Sequence, residues 1–230
     1  MKKRLKLNIF WLVLLLAIYG VLYAAYSSGL VNLFIDNIIV TIGINIILAV
    51  GLNLVIGFSG QFSLGHAGFM AIGAYCGSLF AMNNPTMGCF FTGIVVGILL
   101  SSVVALVVGI PTLRLKGDYL AIATLGVAEI IRIAIVNMES ITNGPSGLFG
   151  IPSFVNWPLV YGFVIVTTLI TVNYIHSGAG RVTMGIRDDE IAAESMGVNT
   201  TKYKVIAFVI GAATASIAGA LSASYIESFA

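Results

Sequence analysis

Charged residues are scarce in this sequence. Asp, Glu, Lys and Arg make up 9% of the chain, whereas a soluble domain carries about 25%. Three stretches, residues 37–113, 140–180 and 205–226, contain none of the four. Each is long enough for one or more helices of about 20 residues that cross a bilayer. Because 59% of the residues are also hydrophobic, the chain is predicted to be an all-α, polytopic integral membrane protein.

Cysteine and histidine are scarce, and the glycine-rich phosphate-binding motif is missing. The two cysteines and two histidines offer no metal ligands at a recognised spacing. Cys76 and Cys89 lie within or at the edge of predicted spans, where buried thiols are expected rather than a disulfide. No lysine is followed by Ser or Thr, so the phosphate-binding sequence G-x-x-x-x-G-K-[ST] is absent. We therefore expect no metal, no cofactor and no ATP site in this chain, and a net charge of +2 gives no reason to expect nucleic acid.

Positive residues cluster at Lys2–Lys6, at Arg114 and Lys116, and between Arg181 and Lys204. Because basic loops stay in the cytoplasm, these clusters predict seven spans with the amino terminus inside. The first apolar run is long and no convincing cleavage site follows it, so it is expected to be an uncleaved span. The predicted spans lie at about residues 8–26, 38–57, 64–82, 90–111, 118–138, 159–176 and 204–225.

Polar residues and glycines interrupt the apolar stretch GLNLVIGFSGQFSLGHAGFMAIGAY at residues 51–75. Lipid tolerates irregular backbone only where protein or a water-filled cavity covers it. The pattern predicts a broken or re-entrant segment near residues 57–66, beside a substrate path. Ser63 is a good helix N-cap, so the third span is predicted to begin there, with its first amides available to an anionic group. His66 is expected to donate to a backbone carbonyl, and it joins Gln61 and Ser63 as a candidate path residue.

The predicted fifth span carries a charged pair. Glu129 and Arg132 are three residues apart, so they share a helix face and can pair. Arg132 lies about 21 Å beyond Asp118, inside the apolar layer, where a charge costs at least about 2.5 kcal/mol. The pair either fixes helix packing or marks a polar point beside a substrate path. Thr124, on the same span, completes the set of candidate path residues.

Small residues recur every four positions along two predicted spans. They let backbones approach closely, which drives helix association in lipid. Each series predicts a tight helix contact, either within the chain or between subunits. The series are Gly93, Gly97, Ser101, Ala105 and Gly109, and Ala207, Gly211, Ala215, Gly219 and Ala223.

The stretch that follows the sixth predicted span is polar. Asp188 or Asp189 can cap a short helix that Gly197 would end, and Asn199 or Thr200 can cap the next span. A helix this short is marginal alone. It must therefore pack on the cytoplasmic face of its own chain or insert into a partner subunit.

Several of these stretches carry a family resemblance. DDEIAAESMGVN, residues 188–199, resembles the EAA-type coupling loop of ABC importer permeases. Four further stretches are similar to the signature sequences of permeases for branched-chain amino acids, in the LivM branch. The similarity runs from about residue 45 to residue 227 in the family's order. The four stretches are GLNLVIGFSGQFSLGHAGFMAIGAY, GDYLAIATLG, EIIR and NGPSGLFGIP.

The resemblance implies a permease subunit of an ATP-binding-cassette importer that moves Leu, Ile and Val by alternating access and is not itself an enzyme. Residues 1–230 would form a single transmembrane domain, with a cytoplasmic coupling loop at 178–204. The implied partners are a second homologous permease, two cytoplasmic ATPases that bind ATP, and an extracytoplasmic amino-acid-binding protein. The residues implied in ATPase coupling are Arg187, Asp188, Asp189, Glu190, Glu194 and Gly197.

Some expectations remain open. The family continues with further spans, so the end at Ala230 is interpreted as a carboxy-terminal truncation. Urea, amides or another class of amino acid are alternative substrates, and a secondary transporter or channel is an alternative mechanism. G-x-S-G occurs twice and suggests a serine protease, but a serine nucleophile needs a base. His176 and Ser146 are predicted on opposite sides of the membrane, which argues against that function.

Overall fold

The computed structural model describes residues 2–29, 31–115 and 117–229, with side chains from residue 13 onward. This part of the chain is almost entirely helical, which confirms the predicted all-α membrane architecture. The helices are α1 (Lys2–Ser27), α2 (Leu33–Asn53), α3 (His66–Asn83), α4 (Met87–Thr112), α5 (Asp118–Asn137), α6 (Glu139–Thr142), α7 (Trp157–His176), α8 (Gly178–Asp188), α9 (Glu190–Ser195) and α10 (Thr200–Ile226); a π-helical turn spans Leu54–Phe58, a 3-10 turn spans Gly144–Ser146, and two short strands are β1 (Leu148–Phe149) and β2 (Ser228–Phe229).

The chain divides into two compact units, Met1–Val40 and Thr41–Ala230. Within the smaller unit, the Tyr26 hydroxyl donates a hydrogen bond to the Asp36 carboxylate. This bond connects the end of α1 to the first turn of α2. The larger unit holds every element from the last part of α2 to β2.

The centre of the larger unit is α10, which packs against α3 and α4. A β-carbon added at Gly219 would overlap the carbonyl oxygen of Met70 on α3. On α4, the Ser101 hydroxyl donates to the Ala212 carbonyl oxygen at 2.9 Å. Every member of both small-residue series is buried. The series therefore pack inside the chain, which decides between the two alternatives that the sequence left open.

The two ends of α10 define two ends of the larger unit. Its 27 residues make a helix about 40 Å long. Helices α8 and α9 come directly before its first residue, and β2 directly follows its last turn, where it pairs antiparallel with β1. We call the end with α8 and α9 the loop end, and the end with β1 and β2 the strand end.

Five helices in the described part of the chain are long and apolar enough to cross a membrane. Helices α1 and α3 lie where the first and third spans were predicted, but the count of seven spans is not confirmed. The apolar helical stretch found in α1, Val13–Ser27, is short. Helix α3 is not among these five helices. It contains several glycines and buried polar residues such as Ser78, and it packs closely on its neighbours. The five spans are Leu33–Phe58, Met87–Thr112, Asp118–Asn137, Trp157–His176 and Thr200–Ile226.

Candidate functional site

The predicted break is present and begins one turn early. After α2 the backbone widens into the π turn, in which the Ser59 amide donates to the Leu54 carbonyl oxygen at 3.1 Å. Residues 59–65 are irregular, and α3 begins at His66. We call residues 54–65 the broken segment.

The predicted N-cap at Ser63 is wrong. The residue before α3 is Gly65, and it makes no side-chain cap. The Ser63 hydroxyl instead accepts the Gly65 amide at 3.3 Å, in a local turn. Gly65 lies close to α5, since a β-carbon there would stand 2.9 Å from the Thr124 carbonyl oxygen. Close packing against α5, rather than capping chemistry, therefore decides where α3 begins.

Other helices bond to one side of the broken segment, in which buried and exposed residues alternate from 59 to 65. The Leu64 amide donates to the Thr124 hydroxyl at 3.0 Å, and Thr124 is itself buried on α5. The Gln61 side-chain amide donates to the Ser59 hydroxyl and, at 3.0 Å, to the Lys204 carbonyl oxygen on α10. These bonds satisfy backbone and side-chain donors that lipid could not satisfy, while the buried Oε1 of Gln61 has no hydrogen-bond partner among the described residues.

The imidazole of His66 lies beside the backbone of Leu48 on α2, and its buried Nε2 atom has no hydrogen-bond partner among the described residues. The expected bond from His66 to a backbone carbonyl stays a prediction. Gln61, Ser63 and Thr124 are all buried. The structure brings these four candidate path residues together around the broken segment. It leaves them enclosed by protein.

One contact of the broken segment could not be predicted from sequence. Arg187, at the end of α8, donates from Nη1 to the Gly57 carbonyl oxygen at 3.0 Å. Its aliphatic stem lies over Gly60, which has φ +68°; a β-carbon there would stand 2.6 Å from Arg187 Cγ. Arg187 was predicted as a coupling residue and the break as part of a path. The structure brings them into direct contact.

The capping predictions for the coupling loop, residues 178–204, are correct. Asp189 caps α9 by accepting the Ala192 amide at 2.9 Å. Gly197 follows α9 with φ +80°, the left-handed conformation that ends helices. Asn199 then caps α10 by accepting the Lys202 amide at 3.0 Å. Of each predicted pair, the structure selects Asp189 and Asn199.

Helix α8 was not predicted, since residues 178–188 were interpreted as polar loop. The Ser177 hydroxyl caps it by accepting the Gly180 amide at 3.1 Å. A β-carbon at Gly180 would overlap backbone atoms of Tyr174 and Ile175, so α8 turns sharply back against α7. The buried residues Gly180, Thr183 and Ile186 recur every three positions. That spacing was the available signal.

Two acidic residues of α9 connect it to α10. Glu190 pairs with the Lys204 ammonium at 2.7 Å, and the side chains are only 23% and 12% exposed. Glu194 accepts the Thr200 hydroxyl at 2.9 Å. No residue of α9 is buried, so these polar bonds, rather than apolar packing, position it.

The Glu129–Arg132 pair forms as predicted. Arg132 donates from Nε and Nη2 to the two carboxylate oxygens of Glu129, at 2.9 and 2.6 Å. The side chains of Arg132 and Glu129 are 64% and 52% exposed. On the same face of α5, Gly126 has open space around it, and Ile122 and Leu125 are exposed. The pair therefore lies on an uncovered face of α5 within the described part of the chain.

Several apolar helices, packed around a buried central helix and carrying a capped polar loop at one end, form the architecture of a multi-pass membrane protein. Residues 34–230 match the model of the family described as "Branched-chain amino acid transport system / permease component". The chain belongs to this family, whose members are permease components of transporters rather than enzymes.

Two relatives are also named as permeases for branched-chain amino acids. The chain is 38% identical to the high-affinity branched-chain amino acid transport system permease protein LivM of Salmonella typhimurium, over 68% of this chain and 44% of that protein. It is 35% identical to the protein of the same name from Escherichia coli K12, with the same coverage. The chain spans about half the length of these relatives. No solved structure matches it.

Proposed function

We propose that this chain is a permease subunit of an ATP-binding-cassette importer that carries Leu, Ile and Val across the cytoplasmic membrane. Membership of the family and the names of both relatives support this function. In this proposal the chain forms one transmembrane domain. It pairs with a second homologous permease, two cytoplasmic ATPases and an extracytoplasmic amino-acid-binding protein. ATP and the catalysis of its hydrolysis belong to the ATPases.

The observation that carries the proposal is the exposure of α9. No residue of this helix is fully buried, and the apolar residues Ile191, within α9, and Met196, directly after it, are 73% and 85% exposed. Large apolar side chains that are this exposed on a short helix favour contact with another protein. Packing against the chain's own cytoplasmic face, the other alternative, leaves this apolar surface unexplained.

The acidic residues of the coupling loop have separate roles. Glu190 and Glu194 are engaged with α10, and Asp189 caps α9, so these three position the helix. Asp188 pairs with Arg187 at 2.7 Å and remains exposed. Ile191 and Met196 then make the contact with the ATPase.

The membrane orientation follows from charge. Arg181 and Arg187 lie in α8, and Lys202 and Lys204 lie in the first two turns of α10, all at the loop end. Arg114 follows α4, whose last turns pack beside Phe208 of α10. Basic segments remain cytoplasmic, so the loop end faces the cytoplasm. By the same rule, the basic residues 2–6 support a cytoplasmic amino terminus.

The Glu129–Arg132 face of α5 borders the substrate path. A bare ion pair on a lipid-facing surface is costly, so this face turns toward water or protein, and a path shared with the second permease provides both. One charge of each sign also complements a zwitterionic amino acid. Gln61, Ser63, His66 and Thr124 support the broken segment in this enclosed conformation and border the path when it opens.

Uptake by reconstituted proteoliposomes tests the function. With both permeases, the ATPases and the binding protein present, radiolabelled Leu is taken up only with ATP. The double variant Ile191→Glu with Met196→Glu abolishes this uptake without reducing membrane insertion. Met87→Glu, at the strand end, is the matched control and retains uptake, since Met87 is also exposed and starts a helix. Uptake by this chain alone without nucleotide would instead establish a secondary transporter or channel.

A further inference from the structure

The broken segment and the coupling loop are connected by two hydrogen bonds that join distant parts of the sequence. One runs from Arg187 to the Gly57 carbonyl oxygen, and the other from the Gln61 side chain to the Lys204 carbonyl oxygen, each at 3.0 Å. The bonded residues are separated by 130 and 143 positions. The bonds reach the broken segment on either side of Gly60.

The first connection depends on the shape of the backbone. A helix leaves its last carbonyls without helical partners, and Gly57, near the end of the π turn, presents such a carbonyl to the Arg187 guanidinium. At Gly60 the positive φ and the missing β-carbon leave room for the Arg187 stem. A long cationic side chain thus lies across the broken segment and donates to its backbone.

The second connection continues into α9. Lys204 uses its carbonyl oxygen for Gln61 and its ammonium group for Glu190. Gln61 in turn donates to Ser59. A continuous series of polar contacts therefore runs from α9, through one residue of α10, into the broken segment. The Lys204–Glu190 pair is largely shielded from water, so screening weakens it less than an exposed pair.

We propose that Arg187, Lys204 and Gln61 are positioning residues that make α9 and the broken segment move as one unit. A displacement of α9 reaches residues 57–61 directly, without first rearranging the long helices. The inference rests on the proposed function only for the source of that displacement, which is the ATPase. Energetic coupling of this kind typically changes an equilibrium about 5- to 150-fold.

Coupled transport tests the Arg187 connection. In the reconstituted importer, Arg187→Leu keeps an aliphatic stem but no donor, so Leu transported per ATP hydrolysed falls about tenfold while ATP hydrolysis continues. Arg187→Lys can still donate to Gly57 and restores most of the ratio. Arg181→Leu, on the same helix but bonded to the His176 carbonyl, leaves the ratio unchanged. An unchanged ratio in Arg187→Leu, or an equal loss in Arg181→Leu, would overturn the inference.

A charge exchange tests the α9 connection separately. Glu190→Lys and Lys204→Glu each lower the ratio, and the double exchange restores it because the pair reforms while the Lys204 backbone carbonyl remains for Gln61. Failure of the double exchange to exceed either single variant would contradict the α9 connection.

Hydrogen–deuterium exchange separates this inference from the proposed function, because it needs no transport. In the purified chain, Arg187→Leu increases amide exchange within residues 57–62, whereas Arg181→Leu does not. Equal exchange in the two variants rules out the connection, even if the importer carries Leu with ATP. Conversely, absence of ATP-dependent uptake by the wild-type system would contradict the proposed function and leave this measurement decisive for the connection.

Discussion

Gly219 on α10 faces Met70 on α3 so closely that a β-carbon at Gly219 would overlap the Met70 carbonyl oxygen. The two backbones are in direct contact, with no side chain between them. In lipid, where apolar burial gives no net driving force, such contacts hold helices together. The contact between α3 and α10 therefore depends on this glycine.

The first prediction is that Gly219→Leu destabilises the bundle. The added side chain must separate α3 from α10, and overpacking of this kind costs about 1–3 kcal/mol. Thermal unfolding in detergent should show a lower midpoint. Gly162→Leu on α7 is the matched control, because Gly162 has open space around it; an equal loss in both variants would contradict the packing explanation.

The second prediction concerns the cap of α9. Asp189→Ala removes the acceptor for the Ala192 amide, and loss of an N-cap costs about 1 kcal/mol. Amide exchange within residues 190–195 should rise, and ATP-dependent uptake should fall. Asp189→Asn retains an equally good cap and should behave as wild type; a loss equal to that of Asp189→Ala would point to the charge rather than the cap.

The third prediction separates the two interpretations of the α5 pair. Arg132→Ala leaves Glu129 unpaired at membrane depth, so folding or uptake should decline. The double variant Glu129→Gln with Arg132→Gln removes both charges and should restore membrane insertion. If the pair borders the path, Leu uptake stays low in the double variant. Wild-type uptake by that variant would make the pair a packing element only.

The fourth prediction concerns the end of α9. Gly197 has φ +80°, which strains β-branched residues most. Gly197→Ile should displace α9 and uncouple ATP hydrolysis from uptake while the protein remains in the membrane. Gly197→Asn should lose less, because asparagine tolerates the left-handed conformation. Coupled uptake and membrane fractionation measure both; full coupling in Gly197→Ile would remove Gly197 from the docking role.

Local patterns were enough to predict much of this molecule. The cap at Asp189, the end at Gly197 and the three-residue spacing of Glu129 and Arg132 each depend on neighbours in sequence. The small-residue series predicted close contacts, but only the packed structure assigned them to the interior. In each case the physical cause acts within a few residues.

What could not be predicted depends on tertiary packing. Helix α3 begins at His66 because Gly65 packs against α5, a constraint invisible in a sequence that offers Ser63 as a cap. Helix α8 was missed because its glycines disfavour helix formation and its stability depends on the turn against α7. The contact between Arg187 and Gly57 spans 130 positions. No local pattern could pair them.

Helix α10 differs from the other spans in how little of its surface is free: 78% of the residues in its 18-residue apolar stretch are buried, against 17% in that of α7. A saturation mutagenesis scan should therefore find α10 intolerant around its whole circumference, with no favoured side. The same scan across α7 should alternate between sensitive and permissive positions about every 3.6 residues. A clear helical period of tolerance in α10 would show that part of its surface is free in the assembled transporter.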